Sequence, residues 1–264
     1  MKRVKQTTHA DLRRMFESAI TVRDITEPLV CYDAERNAAE VKPFLDECDF
    51  DVAGVRQNGR VLGYLERERL MDGRVEDHLI RFGEGDVVLE TEPLVRVIQL
   101  LEARRAFFVT AFGQVAGIVT RGDLQKSAVR MWLFGLISLI EMQMLWLIRE
   151  RHPNEAWKPF LKSSKGLKTA QWHFDIRRGR NEAIDLVGCL LLSDKADIFR
   201  KDPSLDKLMC RSGLGMDSTF FRELVSLRDD LAHAHDIVTN RWPRLPKLVQ
   251  EAERLLNALE QVSF

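Results

Sequence analysis

Cysteine is sparse and scattered. The four residues, Cys31, Cys48, Cys189 and Cys210, contain no Cys-x-x-Cys pair, and no histidine cluster stands near them at metal-ligand spacing. That pattern argues against a zinc site, and no metal is expected. An excess of one charge is also missing: 40 basic and 40 acidic residues balance in a chain of 264. The molecule as a whole therefore lacks the basic surplus of a protein that coats nucleic acid, and a polyanion site has to be a local patch. The charged start, Met1-Lys2-Arg3-Val4-Lys5-Gln6, leads into Asp11-Leu12-Arg13-Arg14 rather than an apolar run, so no secretory signal is expected. With thiols unpaired, the expected compartment is the reducing cytoplasm. One long hydrophobic run stands out, Met131 to Ile148, nearly long enough to span a bilayer. Glu141 and Gln143 lie in its middle, where charge is costly in lipid, which favours a buried or dimer-forming soluble helix over a membrane span.

What is present begins with a repeat. A chain of 264 residues is comfortable as two domains. Two segments of its first half align without a gap at an offset of about 54 residues, a period suited to repeated supersecondary units. Val52-Ala53-Gly54-Val55 matches Ala106-Phe107-Phe108-Val109, the run Gly59 to Leu65 matches Gly113 to Val119, and Leu70 matches Leu124. Upstream, Val22-Arg23-Asp24-Ile25 is similar to Val75-Glu76-Asp77-His78, and Pro93 to Leu101 has helical spacing behind a proline suited to a first turn. Each copy, about 21–71 and 75–126, is expected to be a β-α-β-β-α unit.

Gly117-Ile118-Val119-Thr120-Arg121-Gly122-Asp123-Leu124 resembles the closing signature of CBS domains, which occur in pairs. The resemblance implies a pseudo-twofold sensor module whose cleft takes an adenosine-type ligand, an adenine nucleotide such as ATP or AMP. It assigns phosphate to Thr120 and ribose to Asp123, with Arg121 between them. Thr120 is expected to end a strand and open a helix whose free amides favour phosphate. The same Thr-x-x-Asp spacing reads equally as a capping box, and the two uses are compatible. The first copy departs from the pattern: Glu66 and Arg69 stand where Thr120 and Asp123 stand in the second. A carboxylate facing phosphate repels it, so one competent cleft is expected.

Beyond Lys126 the pattern becomes helical. Helices are expected from Val129 to Arg151, Asn181 to Ser193, Ser218 to His235 and Leu245 to Gln261. The organisation expected is α/β followed by all-α: a helical lead-in over 1–20, the paired module over 21–127, and a helical bundle over 128–264. The run Phe220 to Asp236 resembles the signature helix of HEPN domains, marked by Arg, a polar residue and a following His; Arg228, Asp229 and His233 match it, and His235 also falls within the permitted spacing. The resemblance implies a homodimeric ribonuclease. On a helical wheel Phe220, Leu224, Leu227, Leu231, Ala234 and Val238 form an apolar stripe, with Asp229 and His233 paired on the opposite side. Such a His can move the proton of a ribose 2′-hydroxyl or of a leaving 5′-oxygen, while Arg228 neutralises phosphate, with no cofactor for catalysis. A solvated helix face is the plain alternative.

Between the first two expected helices lies a basic stretch with Lys162, Lys165, Lys168, Arg177, Arg178 and Arg180, interleaved with Trp157, Phe160, Trp172 and Phe174 and opposed by Asp175. That mixture suits single-stranded RNA, whose bases stack on rings; equally, the rings can turn inward and leave a solvated loop. The function expected is an adenine-nucleotide-regulated RNA endonuclease. The alternative is a non-catalytic, ligand-responsive dimerisation scaffold with a degenerate HEPN domain.

Overall fold

After α1 (His9–Ala19) the chain runs through β1 (Glu27–Pro28), β2 (Cys31–Asp33), α2 (Ala38–Glu47), β3 (Val52–Gln57), β4 (Arg60–Glu66), β5 (Ile80–Arg81), β6 (Val87–Leu89), α3 (Leu94–Ala103), β7 (Ala106–Ala111) and β8 (Gln114–Thr120). Helices follow: α4 (Ser127–Arg151), α5 (Ser164–Gly179), α6 (Leu192–Lys201), α7 (Pro203–Arg211), α8 (Ser218–Ala232) and α9 (Arg244–Val262). This computed structural model describes residues 9–211, 213 and 218–262. Its contacts separate two units, Ile20–Ala128 and a second that joins Met1–Ala19 to Val129–Phe264.

The first unit holds two sheets of equivalent construction, ordered β2-β3-β4-β5 and β1-β8-β7-β6. In both, a parallel pair meets an antiparallel hairpin, and both hairpins carry a register shift at the matching place, between Val55 and Arg56 and between Val109 and Thr110. The hairpins turn through Asn58-Gly59 and Phe112-Gly113, all four residues at positive φ, the geometry whose twist matches paired strands. One outer strand of each sheet comes from the start of the other copy. β1 pairs antiparallel with β8, and β5 with β4. This exchange explains a glycine in each hairpin: a Cβ at Gly63 would strike the Ile80 carbonyl oxygen, and one at Gly117 the Thr26 side chain. The β-α-β-β part of each copy is as expected, but the copies are not self-contained. The closing helices are also shorter than expected, single 3-10 turns at Arg67–Arg69 and Gly122–Gln125. Behind the first sheet Val41 and Leu45 of α2 pack with Val55, Leu65 and Leu70, and Val97, Ile98 and Leu101 of α3 are fully buried as well.

In the second unit Leu133, Leu136 and Ile137 of α4 meet Leu224 and Leu227 of α8 and Leu248, Val249 and Ala252 of α9. By length and composition α4 is able to cross a membrane, yet 61% of its most apolar window is buried inside the structure. The helix expected over Asn181 to Ser193 is absent. Asn181 takes φ 57° just after α5 ends, and the Asp185 carboxylate then holds a turn by accepting from the Gly188 amide (3.0 Å) and the Arg149 guanidinium (2.6 Å). Helix instead fills the basic stretch, as α5.

Candidate functional site

The first candidate is the turn after β8. Asp123 is 7% exposed. Its Oδ2 accepts from the Thr120 amide (2.7 Å) and the Thr120 hydroxyl (2.9 Å), and its Oδ1 faces the Lys126 ammonium at 2.9 Å. Lys126 also donates to the Ile25 carbonyl (2.6 Å) and pairs with Glu27. Burial lowers the Lys126 pKa, but the bonds to Asp123 and Glu27 outweigh it and the net shift is upward. Arg121 donates to the Leu101 carbonyl (3.3 Å). The Thr-x-x-Asp pair therefore acts as a cap, a device this unit repeats: Asp24 accepts from the Thr21 amide, Asp77 from the Arg74 amide and Asp86 from the Gly83 amide, each at 2.7 Å. The helix expected to start at Thr120 is one short turn, so its dipole is a small fraction of a full helix's and offers phosphate little by itself. At the equivalent place in the first copy Glu66 and Arg69 pair with each other at 2.7 Å. The two turns thus differ in chemistry: one keeps a buried carboxylate and a hydroxyl, the other an ion pair between a half-buried Glu66 and an exposed Arg69.

The second candidate is the end of α8. The expected helix to His235 stops at Ala232, because Ala234 takes the left-handed φ of 57°. The His235 amide then reaches back to the Asp230 carbonyl (2.9 Å), which closes the helix in the manner usually seen with glycine. The break rearranges the expected partners. Asp229 does not pair with His233; its Oδ1 takes the Arg228 guanidinium at 2.8 Å. Asp230 holds His235, Nδ1 to Oδ1 at 3.1 Å. Its other oxygen accepts from Arg241 Nε at 3.0 Å, and Arg241 also reaches the Ser226 hydroxyl at 2.8 Å. The Arg241 bond, opposed by partial burial and helped by His235, keeps the Asp230 carboxyl below its ordinary range, hence ionised near neutrality. The His233 and His235 rings lie 5.8 Å apart, centroid to centroid, and both residues are exposed. Asp236 accepts from the Val238 and Thr239 amides, each at 2.8 Å, and so fixes the backbone beyond them. Two imidazoles can accept one proton and supply another, and a guanidinium can neutralise a phosphate.

The basic residues expected to bind RNA lie on or beside α5, a different element from α8. Lys162, Lys165, Lys168, Arg178 and Arg180 are exposed. Arg177 is held by Glu182 at 2.6 Å, and Arg178 lies over the Phe174 ring at 5.6 Å. The aromatic residues divide. Trp157 is buried, while Trp172 is 61% exposed on the same helix as Lys165 and Lys168. Glu141 lies elsewhere, paired with the buried Lys195 at 2.6 Å. Asp230, Arg241 and Arg130 were missed by the sequence reading. The wheel assumed a continuing helix and paired Asp229 with His233, and only the break at Ala234 brings His235 back to Asp230.

No family model matches the chain, and no curated protein matches it. Similar solved structures include the CBS domain of a bacterial CNNM/CorC family Mg2+ transporter in complex with ATP. It is 19% identical, covers 46% of this chain and 94% of its own, and has a TM-score of 0.36. CBSX2 in complex with AMP is 20% identical over 42% of this chain and 98% of its own, with a TM-score of 0.37. CBSX2 from Arabidopsis thaliana, described as a CBS-pair protein, is 18% identical over 42% and 96%, with a TM-score of 0.37.

Proposed function

We propose that this chain is a homodimeric endoribonuclease whose helical unit, of HEPN type, is regulated by an adenine nucleotide held in the paired-sheet unit, of CBS type. The observation that carries the reading is the pair of exposed imidazoles, 5.8 Å apart, just past the end of α8, the helix that also carries Arg228. In the reaction a ribose 2′-oxygen bonds to the adjacent phosphorus as one imidazole takes its proton. The bond from phosphorus to the 5′-oxygen breaks as a second proton reaches that oxygen, giving a 2′,3′-cyclic phosphate and a 5′-hydroxyl end. Arg228 neutralises the charge that builds on the phosphate oxygens. Lys165, Lys168 and Trp172 along α5 would track the strand, ammonium groups on phosphate and the indole on a base. Met131, Phe134 and Met142, exposed along α4, are apolar surface suited to a second copy.

In the paired-sheet unit the supporting feature is the contrast between the two turns. Thr120 and Asp123 would hold phosphate and ribose where Glu66 and Arg69 would not. Binding of ATP and AMP is measured by calorimetry. Asp123→Asn weakens it about tenfold or more, as a lost bond to a charged group does, and Arg69→Ala leaves it unchanged. Equal loss in both variants overturns the assignment.

For the effector, labelled RNA is incubated with the protein, with and without chelator. Cleavage with a 2′,3′-cyclic phosphate product is expected, with DNA resistant. Arg228→Ala is expected to lose roughly 10²-fold or more in rate. Absence of cleavage with and without nucleotide removes the ribonuclease reading.

A further inference from the structure

The reading above leaves two imidazoles for two proton transfers, and their surroundings are unequal. His235 is held from several sides. Its Nδ1 meets Asp230 Oδ1 at 3.1 Å, and a carboxylate accepts, so Nδ1 carries the proton and Nε2 is left with a lone pair. Its backbone is fixed by Arg130 of α4, which donates to the His235 carbonyl at 2.8 Å, the Asp230 carbonyl at 2.9 Å and the Leu231 carbonyl at 3.1 Å. One guanidinium thus satisfies carbonyls at the end of α8 and of the histidine itself. Arg241 fixes the far side of the Asp230 carboxylate. His233, among the described residues, makes no side-chain hydrogen bond, and its ring lies tilted 5.8 Å from that of His235.

We infer that the two histidines divide the labour: His235 Nε2 takes the proton of the 2′-hydroxyl, protonated His233 gives one to the leaving 5′-oxygen, and Asp230 and Arg130 are the positioning residues of His235. This rests on the ribonuclease reading and deepens it. A base whose Nδ1–H is bonded to a carboxylate has one nitrogen left for proton exchange, and that carboxylate stabilises the imidazolium once the proton has been taken. A general acid needs no such anchor, since the unanchored ring can follow the departing oxygen. The proton count closes, one arriving at Nε2 of His235 and one leaving His233, and exchange with water restores both rings.

Two measurements on the full chain test this. Long-range proton–nitrogen NMR correlations report the tautomer of each imidazole without reference to activity. His235 is expected as the Nδ1–H form in the wild type and as a mixture in Asp230→Asn. An Nε2–H form in the wild type, or no change in the variant, overturns the positioning role. Cleavage is then compared on ordinary RNA and on RNA with sulfur replacing the bridging 5′-oxygen, a leaving group that departs without a proton. On ordinary RNA both His233→Gln and His235→Gln lose roughly 10²-fold or more in kcat. Sulfur restores His233→Gln and leaves His235→Gln slow; the reverse pattern overturns the division. Asp230→Asn is expected to lower kcat at nearly constant KM and to add little further loss in a His235→Gln background. Arg130→Lys, which keeps the charge and relinquishes part of the three-carbonyl contact, does the same more mildly and guards against a misfolded Asp230 variant. A wild type that cuts no RNA yet keeps the Nδ1–H form at His235 removes the ribonuclease reading and the division with it. A wild type that cuts RNA with His235→Gln unimpaired overturns this inference alone.

Discussion

Phe112 occupies a conformation that a bulky side chain seldom takes: φ is 51°, and the ring is fully exposed at the tip of the β7–β8 hairpin. Its counterpart in the first hairpin is Asn58, at φ 50°, followed like Phe112 by a glycine. Asn-Gly is the favoured pair for this turn. A residue that tolerates the left-handed region relieves about 1 kcal/mol, with no burial lost in exchange. Phe112→Asn is therefore expected to raise the urea midpoint at unchanged slope, and a lower midpoint would mean that the ring has a stabilising partner. Single residues also decided what was legible near the candidate site. Arg228, Asp229, His233 and His235 could be singled out from spacing, because the motif is written in the chain. The partner of each could not. A wheel assumes that the helix continues, and Ala234, unlike glycine, gives no sign that it will turn left-handed and pass His235 to Asp230.

At the level of elements, the repeat was readable since hairpins with the same glycines recur at one offset. The exchange of outer strands was not, because β1 and β5 are two residues long and show no alternation. The only trace was Gly63 and Gly117, whose missing side chains make room for those strands. The basic stretch was expected between helices, yet it forms α5 itself: Gly166 and Gly179 fall near its ends, Pro159 lies before it, and its middle is free of both residue types. Between α4 and the α6–α7 junction, His152 Nε2 meets Asp202 Oδ2 at 2.7 Å, and Asp202 Oδ1 accepts from the Ser204 amide at 2.8 Å. Burial pushes the Asp202 carboxyl up, but the Ser204 and His152 bonds outweigh it and leave it below the ordinary carboxylate range. A carboxyl depressed on folding stabilises the fold above its unfolded value, and that contribution is lost as pH falls through the folded value. Denaturation of Asp202→Asn should thus show a deficit of about 1–3 kcal/mol at neutral pH that shrinks toward acid. A deficit that grows toward acid would refute the sign.

For the molecule as a whole, one unit is discontinuous in the chain. α1 belongs with the helices from Val129 onward, and the paired sheets lie between them in sequence. Arg13 of α1 reaches Glu253 at 2.7 Å and Glu260 at 3.0 Å on α9, and Phe16 lines a crevice with Trp132, Leu136 and Leu256. The lead-in helix is thus an integral wall of the helical unit. Phe16→Ala is expected to cost about 2 kcal/mol, below the full loss for a core phenylalanine because the ring is partly exposed. The melting transition that moves should be that of the helical unit, and an unchanged transition would separate α1 from it.

The strand exchange also imposes a schedule on the growing chain. β1 leaves the ribosome well ahead of its partner β8, whose Gly117 and Ile118 receive Pro28 and Glu27. At roughly 5–20 residues per second that wait lasts several seconds, during which the strand has no native ladder to join. A message cut short before Gln114 would release a protein with an unfinished sheet, its edge open to whatever strand arrives first. β5, by contrast, follows closely behind β4, so the first sheet can close while the second is still being made.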